Sequence, residues 1–174
     1  MANDTSSTIN RIGIIGAGQM GGGIAQVAAQ AGLSALVIDA TKEMADKGIG
    51  RVFGSLDKLV AKGKLEAGKA EQIKANIRTS DRYEELADCD LVVEAATEKA
   101  ELKLEIFRRM DRAAGPEAIL ASNTSSISIT LLGAATKRPE RVIGMHFMNP
   151  VPLMKLVEVI RGIATDDDTF TIAK

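Results

Sequence analysis

The 174-residue sequence has no tryptophan, one tyrosine, one cysteine and one histidine. With Cys89 alone, no disulfide can form within the chain. Cys89 and His146 together cannot supply the ligands of a structural zinc site, so no metal is expected. A dominant charge is missing as well. Lys and Arg total 22 against 23 Asp and Glu, a net charge of −1, and nothing in that balance points to nucleic acid or an anionic membrane. No apolar run reaches the length that crosses a bilayer. Residues Met1 to Thr8 carry neither the basic nor the apolar region of a secretory signal, and no Arg precedes Arg11. What is present, 45% apolar and 26% charged residues, is the composition of a folded domain. A cytoplasmic enzyme or binding domain is the expectation.

Two kinds of segment alternate from residue 11 onward. Short β-branched runs occupy Arg11–Ile15, Ala35–Ile38, Asn76–Thr79, Asp90–Val93, Ala118–Ala121, Arg141–His146 and Lys155–Ile160. Between several of them the apolar residues recur with helical period. Met20, Ile24, Val27, Ala28 and Ala31 share one face; Ile49, Val52, Phe53, Leu56, Leu59 and Val60 share another; Leu102, Ile106, Phe107, Met110 and Ala113 a third. Strand–helix alternation at this spacing predicts an α/β fold, a doubly wound and mostly parallel sheet with helices on both faces. The domain is expected to run from 11 to 174, with a flexible lead-in over 1–10 and a long helical excursion over 40–75.

The first strand leads directly into Gly16-Ala17-Gly18-Gln19-Met20-Gly21, which opens an apolar-faced helix. In a G-x-G-x-x-G turn the first glycine allows the tight bend and the second lets a pyrophosphate approach the backbone. The third lets helix and strand pack closely, with free helix N–H groups aimed at the phosphates. Asp39 ends the second strand 18 residues after Gly21, placed to accept the ribose hydroxyls of an adenosine. Ala40-Thr41-Lys42 brings no Arg close behind it, which favours NAD over NADP. The competing reading is a glycine-rich turn with Asp39 as a helix cap.

The other polar candidates stand at the carboxyl ends of predicted strands, where open parallel sheets bind ligands. These are Glu94 through Glu98, Ser122 through Ser126, and His146 with the following Phe147-Met148-Asn149-Pro150-Val151-Pro152. His146 is the one side chain of a type that exchanges protons near neutrality. Alternation on the last strand puts Glu158 on the face of Leu156 and Ile160, where a buried carboxylate would need a partner. A His146–Glu158 pair would orient the imidazole as the acid of a triad does. The alternative is a solvated Glu on an edge strand.

These motifs together resemble the L-3-hydroxyacyl-CoA dehydrogenase family, the bacterial 3-hydroxybutyryl-CoA dehydrogenases in particular. The resemblance rests on Gly16–Gly21 with Asp39, Val92-Val93-Glu94-Ala95, Ala121 through Ser126, and Met145-His146-Phe147-Met148-Asn149-Pro150-Val151-Pro152 with Leu156-Val157-Glu158. It implies reversible, NAD-linked oxidation of a 3-hydroxyacyl-CoA in fatty-acid or butanoate metabolism. His146 would be the catalytic base and Glu158 its orienting acid, while Ser125 and Asn149 would position the substrate oxygen and the nicotinamide. The implied cofactor contacts are Gly16, Gly18, Gln19, Met20, Gly21, Asp39, Ala96, Glu98 and Lys103, together with Ser125 and Asn149. Ser55 and Lys62 match positions that touch coenzyme A. The family continues with an all-helical domain that carries the homodimer interface and one wall of the substrate cleft. The chain ends at Lys174, just as Asp166-Asp167-Asp168 begins to cap a helix, so the resemblance implies the nucleotide-binding domain alone. A dinucleotide-binding module without turnover is the alternative function.

Overall fold

Strands that are buried on both faces need apolar side chains at nearly every position, and the Ile-, Val- and Leu-rich runs of this sequence become such strands. A computed structural model of the chain describes residues 9–174, so most of the expected lead-in over 1–10 lies outside the described residues. The strands are β1 (Arg11–Ile15), β2 (Ser34–Ile38), β3 (Ile77–Ser80), β4 (Leu91–Glu94), β5 (Ile119–Ser122), β6 (Val142–Phe147) and β7 (Val157–Arg161). They form one sheet in the order β3-β2-β1-β4-β5-β6-β7, parallel except for β7, which runs antiparallel to β6. The fold is thus the doubly wound, Rossmann-like α/β architecture expected from the alternation.

Helices α1 (Gln19–Gln30), α2 (Lys42–Ala61), α3 (Ala67–Ala75), α4 (Ala100–Ala113), α5 (Ile129–Ala134) and α6 (Asp167–Ala173) complete the chain. Two cores result. One buries Ile12, Ile14, Val37 and Val93 of the sheet against Ile24 of α1, Ile49 and Leu56 of α2 and Ile73 of α3. The other buries Leu36, Ile38, Val92 and Leu120 against Ile106, Phe107 and Met110 of α4 and Leu132 of α5. Each fully buried Leu, Ile or Phe contributes about 1.5–3 kcal/mol. Among the described residues no helix is long and apolar enough to cross a membrane.

The connection order reverses between β1 and β4, and there the carboxyl ends of the strands part into a crevice. A buried ion pair organises its floor. Lys103 stands on the same stripe of α4 as Ile106, Phe107 and Met110, and the stripe faces inward. Its side chain is 1% exposed and is paired with the fully buried Glu94 at the end of β4. The same Glu94 oxygen accepts from the Ser122 hydroxyl of β5 at 3.1 Å. The other oxygen accepts the backbone N–H groups of Ala96 at 2.9 Å and Thr97 at 3.3 Å. Two strands, a helix and the loop after β4 therefore meet on one carboxylate.

Burying two charges is tolerable only when the pairing is this complete, and removing one partner strands the other. Lys103→Met should therefore cost about 3–5 kcal/mol in urea unfolding, while Glu94→Gln with Lys103→Met loses far less. Equal losses in the single and double variants would contradict this role.

Candidate active site

Beginning at the glycine turn, Gly16 takes φ +102°, and a Cβ there would lie 2.7 Å from Ala96 Cα. A Cβ on Gly21 would lie 1.8 Å from the Gly16 carbonyl oxygen, so only glycine lets α1 start this close to β1. A Cβ on Gly18 would meet nothing within 4 Å, and that open space fits a group bound against the backbone. Gly18 is the N-cap of α1 and no side chain caps it, in contrast to α2, where Thr41 accepts from Met44 N–H. Gln19 and Met20 thus begin a helix whose first N–H groups are free for an anion. This arrangement fits a dinucleotide pyrophosphate.

Asp39 does more than end β2. Its carboxylate accepts the Ala17 N–H at 2.7 Å with one oxygen and the Ala40 N–H at 2.7 Å with the other. The turn and the acid are locked together, and each oxygen keeps a further lone pair toward the cleft. That cleft, about 280 Å³, lies between Gly16, Asp39, Tyr83, Ala96, Leu102 and Arg109. The Arg109 guanidinium stacks 3.9 Å from the centre of the Tyr83 ring. Sequence reasoning missed this wall. Leu102 shares the apolar period of α4 but is 49% exposed where it lines this cleft, which the period alone does not reveal.

On the other side of β4, Thr124 donates to Glu98 at 2.8 Å, which ties the loop after β5 to the loop after β4. Ser125 is exposed on that loop. The Lys103 ammonium is held by Glu94 and Ser122 beneath the loop. Asn149 is joined to the glycine turn, since its side-chain oxygen accepts from Gln19 Nε2 at 3.0 Å.

His146 and Glu158 are directly opposite in the antiparallel β6–β7 pair, with Nδ1 2.8 Å from Oε2. The reason differs from the one argued from alternation. Leu156, Glu158 and Ile160 do share a face, but Leu156 is 56% and Ile160 38% exposed, so that face of the edge strand is open. Strand register rather than desolvation sets the pair. A carboxylate only accepts, so Nδ1 carries the proton of this hydrogen bond and Nε2 is the ring nitrogen left for other chemistry. Cys89 is no rival nucleophile: it precedes β4 at the opposite end of the sheet, and burial pushes its thiol up to about 11.

Ser55 and Lys62 lie on α2 and at its C-cap. The Ser55 hydroxyl donates to the Arg51 carbonyl at 3.0 Å, and Lys62 is exposed. Among the described residues no cluster of His, Cys, Asp or Glu is arranged to hold a metal ion.

Known proteins are similar to this chain in sequence and fold. The family described as "3-hydroxyacyl-CoA dehydrogenase, NAD binding domain" matches residues 11–174. The 3-hydroxybutyryl-CoA dehydrogenase of Bradyrhizobium diazoefficiens is 50% identical over 97% of this chain and 58% of its own length. The 3-hydroxyadipyl-CoA dehydrogenase of Escherichia coli is 44% identical over 90% of this chain and 33% of its own. The crystal structure of (S)-3-hydroxybutyryl-CoA dehydrogenase from Ralstonia eutropha superposes with a TM-score of 0.92 at 47% identity, covering 95% of this chain and 59% of that one. The chain therefore spans little more than half the length of the 3-hydroxybutyryl-CoA relatives. With the glycine turn, Asp39 and the strand-end residues in place, it belongs to the NAD-binding domain family of the 3-hydroxyacyl-CoA dehydrogenases.

Proposed function

We propose that this chain is the cofactor-binding part of a dehydrogenase that interconverts a 3-hydroxyacyl-CoA and its 3-oxoacyl-CoA, with 3-hydroxybutyryl-CoA and acetoacetyl-CoA as the substrate pair. The observation that carries the proposal is the oriented His146–Glu158 pair beside a crevice shaped for a dinucleotide. Bound NAD supplies the hydride acceptor. Gly18 and the free N–H groups of α1 hold its pyrophosphate, and Asp39 takes the adenosine ribose. Ala96 and Glu98 stand on the nicotinamide side. Ser125 and Asn149 position the reacting oxygen. His146 Nε2 takes the hydroxyl proton as the alcohol is oxidised and returns it in the reverse direction. Glu158 holds Nδ1–H and offsets the positive charge that the ring then carries. Ser55 and Lys62 face the coenzyme A portion, Lys62 toward its phosphates. The same reading sets the protein in the cytoplasm as a homodimer assembled through sequence outside the matched span. Exposed Leu153 and Met154, 76% and 45% accessible, follow the carboxyl end of β6 and support a further apolar contact near the crevice.

Asp39 should set cofactor choice, because its carboxylate welcomes ribose hydroxyls and repels a 2′-phosphate. NADH fluorescence titration should show strong preference over NADPH, and Asp39→Ala should weaken NADH and narrow the gap. Equal affinities in the unmutated chain would contradict this assignment.

Where turnover is measured, His146→Gln should lower kcat by about 10²–10⁴-fold with NADH affinity retained. Glu158→Gln should lower kcat less, again without loss of NADH. Near-normal turnover in the His146 variant would place the proton transfer elsewhere.

The 174 residues alone should bind NADH and reduce acetoacetyl-CoA slowly or not at all. Orientation of the reacting carbon is worth about 7–11 kcal/mol of barrier, and part of that orientation is assigned to sequence outside the matched span. Turnover equal to that of the longer relatives would show that these residues suffice.

A further inference from the structure

Strand β6 is longer than its inner neighbour. β5 ends at Ser122, opposite Gly144, whereas β6 continues through Met145 and His146 to Phe147. Beyond Gly144 the strand has a ladder partner on one side only, the edge strand β7. The His146–Glu158 contact does little to hold that stretch. Its carboxylate is 52% exposed, and an ion pair so open adds little to stability. Something else must fix the backbone that sets the pair.

A side chain supplies the missing rung. The Phe147 N–H donates to Asn123 Oδ1 at 2.9 Å. Asn123 directly follows β5 and is 9% exposed, and its own N–H donates to the Glu94 carbonyl of β4 at 2.8 Å. Asparagine after a strand commonly bonds to backbone a few residues away. This one reaches a residue 24 positions along the chain, so it carries the anchorage of β4 across to the last residue of β6. Successive residues of an antiparallel strand turn their backbone groups to opposite sides. With the Phe147 N–H turned to Asn123, the His146 backbone is turned to Glu158. The next residue fixes the loop itself: the Thr124 hydroxyl accepts from the N–H groups of Ser126 at 3.2 Å and Ile127 at 3.0 Å.

We propose that Asn123 is a positioning residue for the proton transfer, completing the β6 ladder by one hydrogen bond and so holding His146 in register with Glu158. The proposal rests on the dehydrogenase reading above, in which His146 Nε2 exchanges the proton. Asn123 touches neither substrate nor cofactor in this role. Without it the partly buried Phe147 N–H loses its partner, and the end of β6 depends on an edge strand alone. An imidazole on that frayed end leaves Glu158 part of the time, and Nε2 is then no longer the defined proton acceptor. What matters is the acceptor oxygen, which aspartate also offers at the same distance along the side chain.

The test reads the imidazole itself. His146 is the one histidine of the chain, so the ring-nitrogen spectrum of the ¹⁵N-labelled protein reports its tautomer alone, at a pH where the ring is neutral. The unmutated chain should show mainly the Nδ1–H form. Asn123→Ala should lower the ratio of Nδ1–H to Nε2–H about 2- to 10-fold, the effect of one hydrogen bond, and speed hydrogen exchange of the Phe147 amide by a similar factor. Asn123→Asp should restore both. Ile73→Val, which loosens the core on α3 beside the far edge of the sheet, should lower stability in urea and leave the tautomer unchanged. An unmoved tautomer in Asn123→Ala, no recovery in Asn123→Asp, or an equal change in Ile73→Val overturns the positioning role. No substrate is present, so each of these results leaves the dehydrogenase reading standing. A mixed tautomer in the unmutated chain would remove the oriented pair and overturn both.

Discussion

Everything at the carboxyl end of the sheet hangs on the Glu94 carboxylate. It is fully buried, and its four contacts come from Lys103, Ser122, Ala96 and Thr97. Desolvating a carboxylate and an ammonium costs several kcal/mol each, so the pair is stable only while every contact holds. That makes it a geometric constraint as well as an attraction. The distance from β4 to β5, the depth of α4 and the path of the loop after β4 cannot vary independently. Glu98 and Thr124, one step nearer the solvent, repeat the connection between the same two loops.

The glycine turn is held by a similar device with different chemistry. Asp39 spends one lone pair of each oxygen on the backbone of Ala17 and Ala40, so β2 carries the turn after β1. Gly48 completes the packing. A Cβ there would be 2.1 Å from the Ala17 carbonyl oxygen, so only glycine leaves α2 this close against the turn.

Contiguous features were legible in the sequence. The β-branched runs located all seven strands to within two residues, the central ones because buried parallel strands tolerate few other residues. The glycine spacing and Asp39 announced the dinucleotide because backbone geometry at the turn admits little else. His146 with Glu158 was legible as a pair, though the argument from burial was unsound; facing register on an open edge strand brings them together. The buried pairing of Lys103 was not foreseen, for the converse reason. Its charge suggested a ligand contact, while its position among Ile106, Phe107 and Met110 already put it on the buried stripe. The Tyr83–Arg109 stack was out of reach, since it depends on how separate elements pack in three dimensions.

Amide resonances followed by NMR while NADH is added to the chain test most directly whether this strand-end crevice is the cofactor site. The largest shifts should fall on Gly16 through Gly21, on Asp39 and Ala40, and on the loops from Ala95 to Glu98 and from Asn123 to Ser126. Residues at the amino ends of the strands, Cys89 and Gly115 through Ala118 among them, should stay still. Shifts centred on that opposite end, or none at saturating NADH, would contradict the assignment.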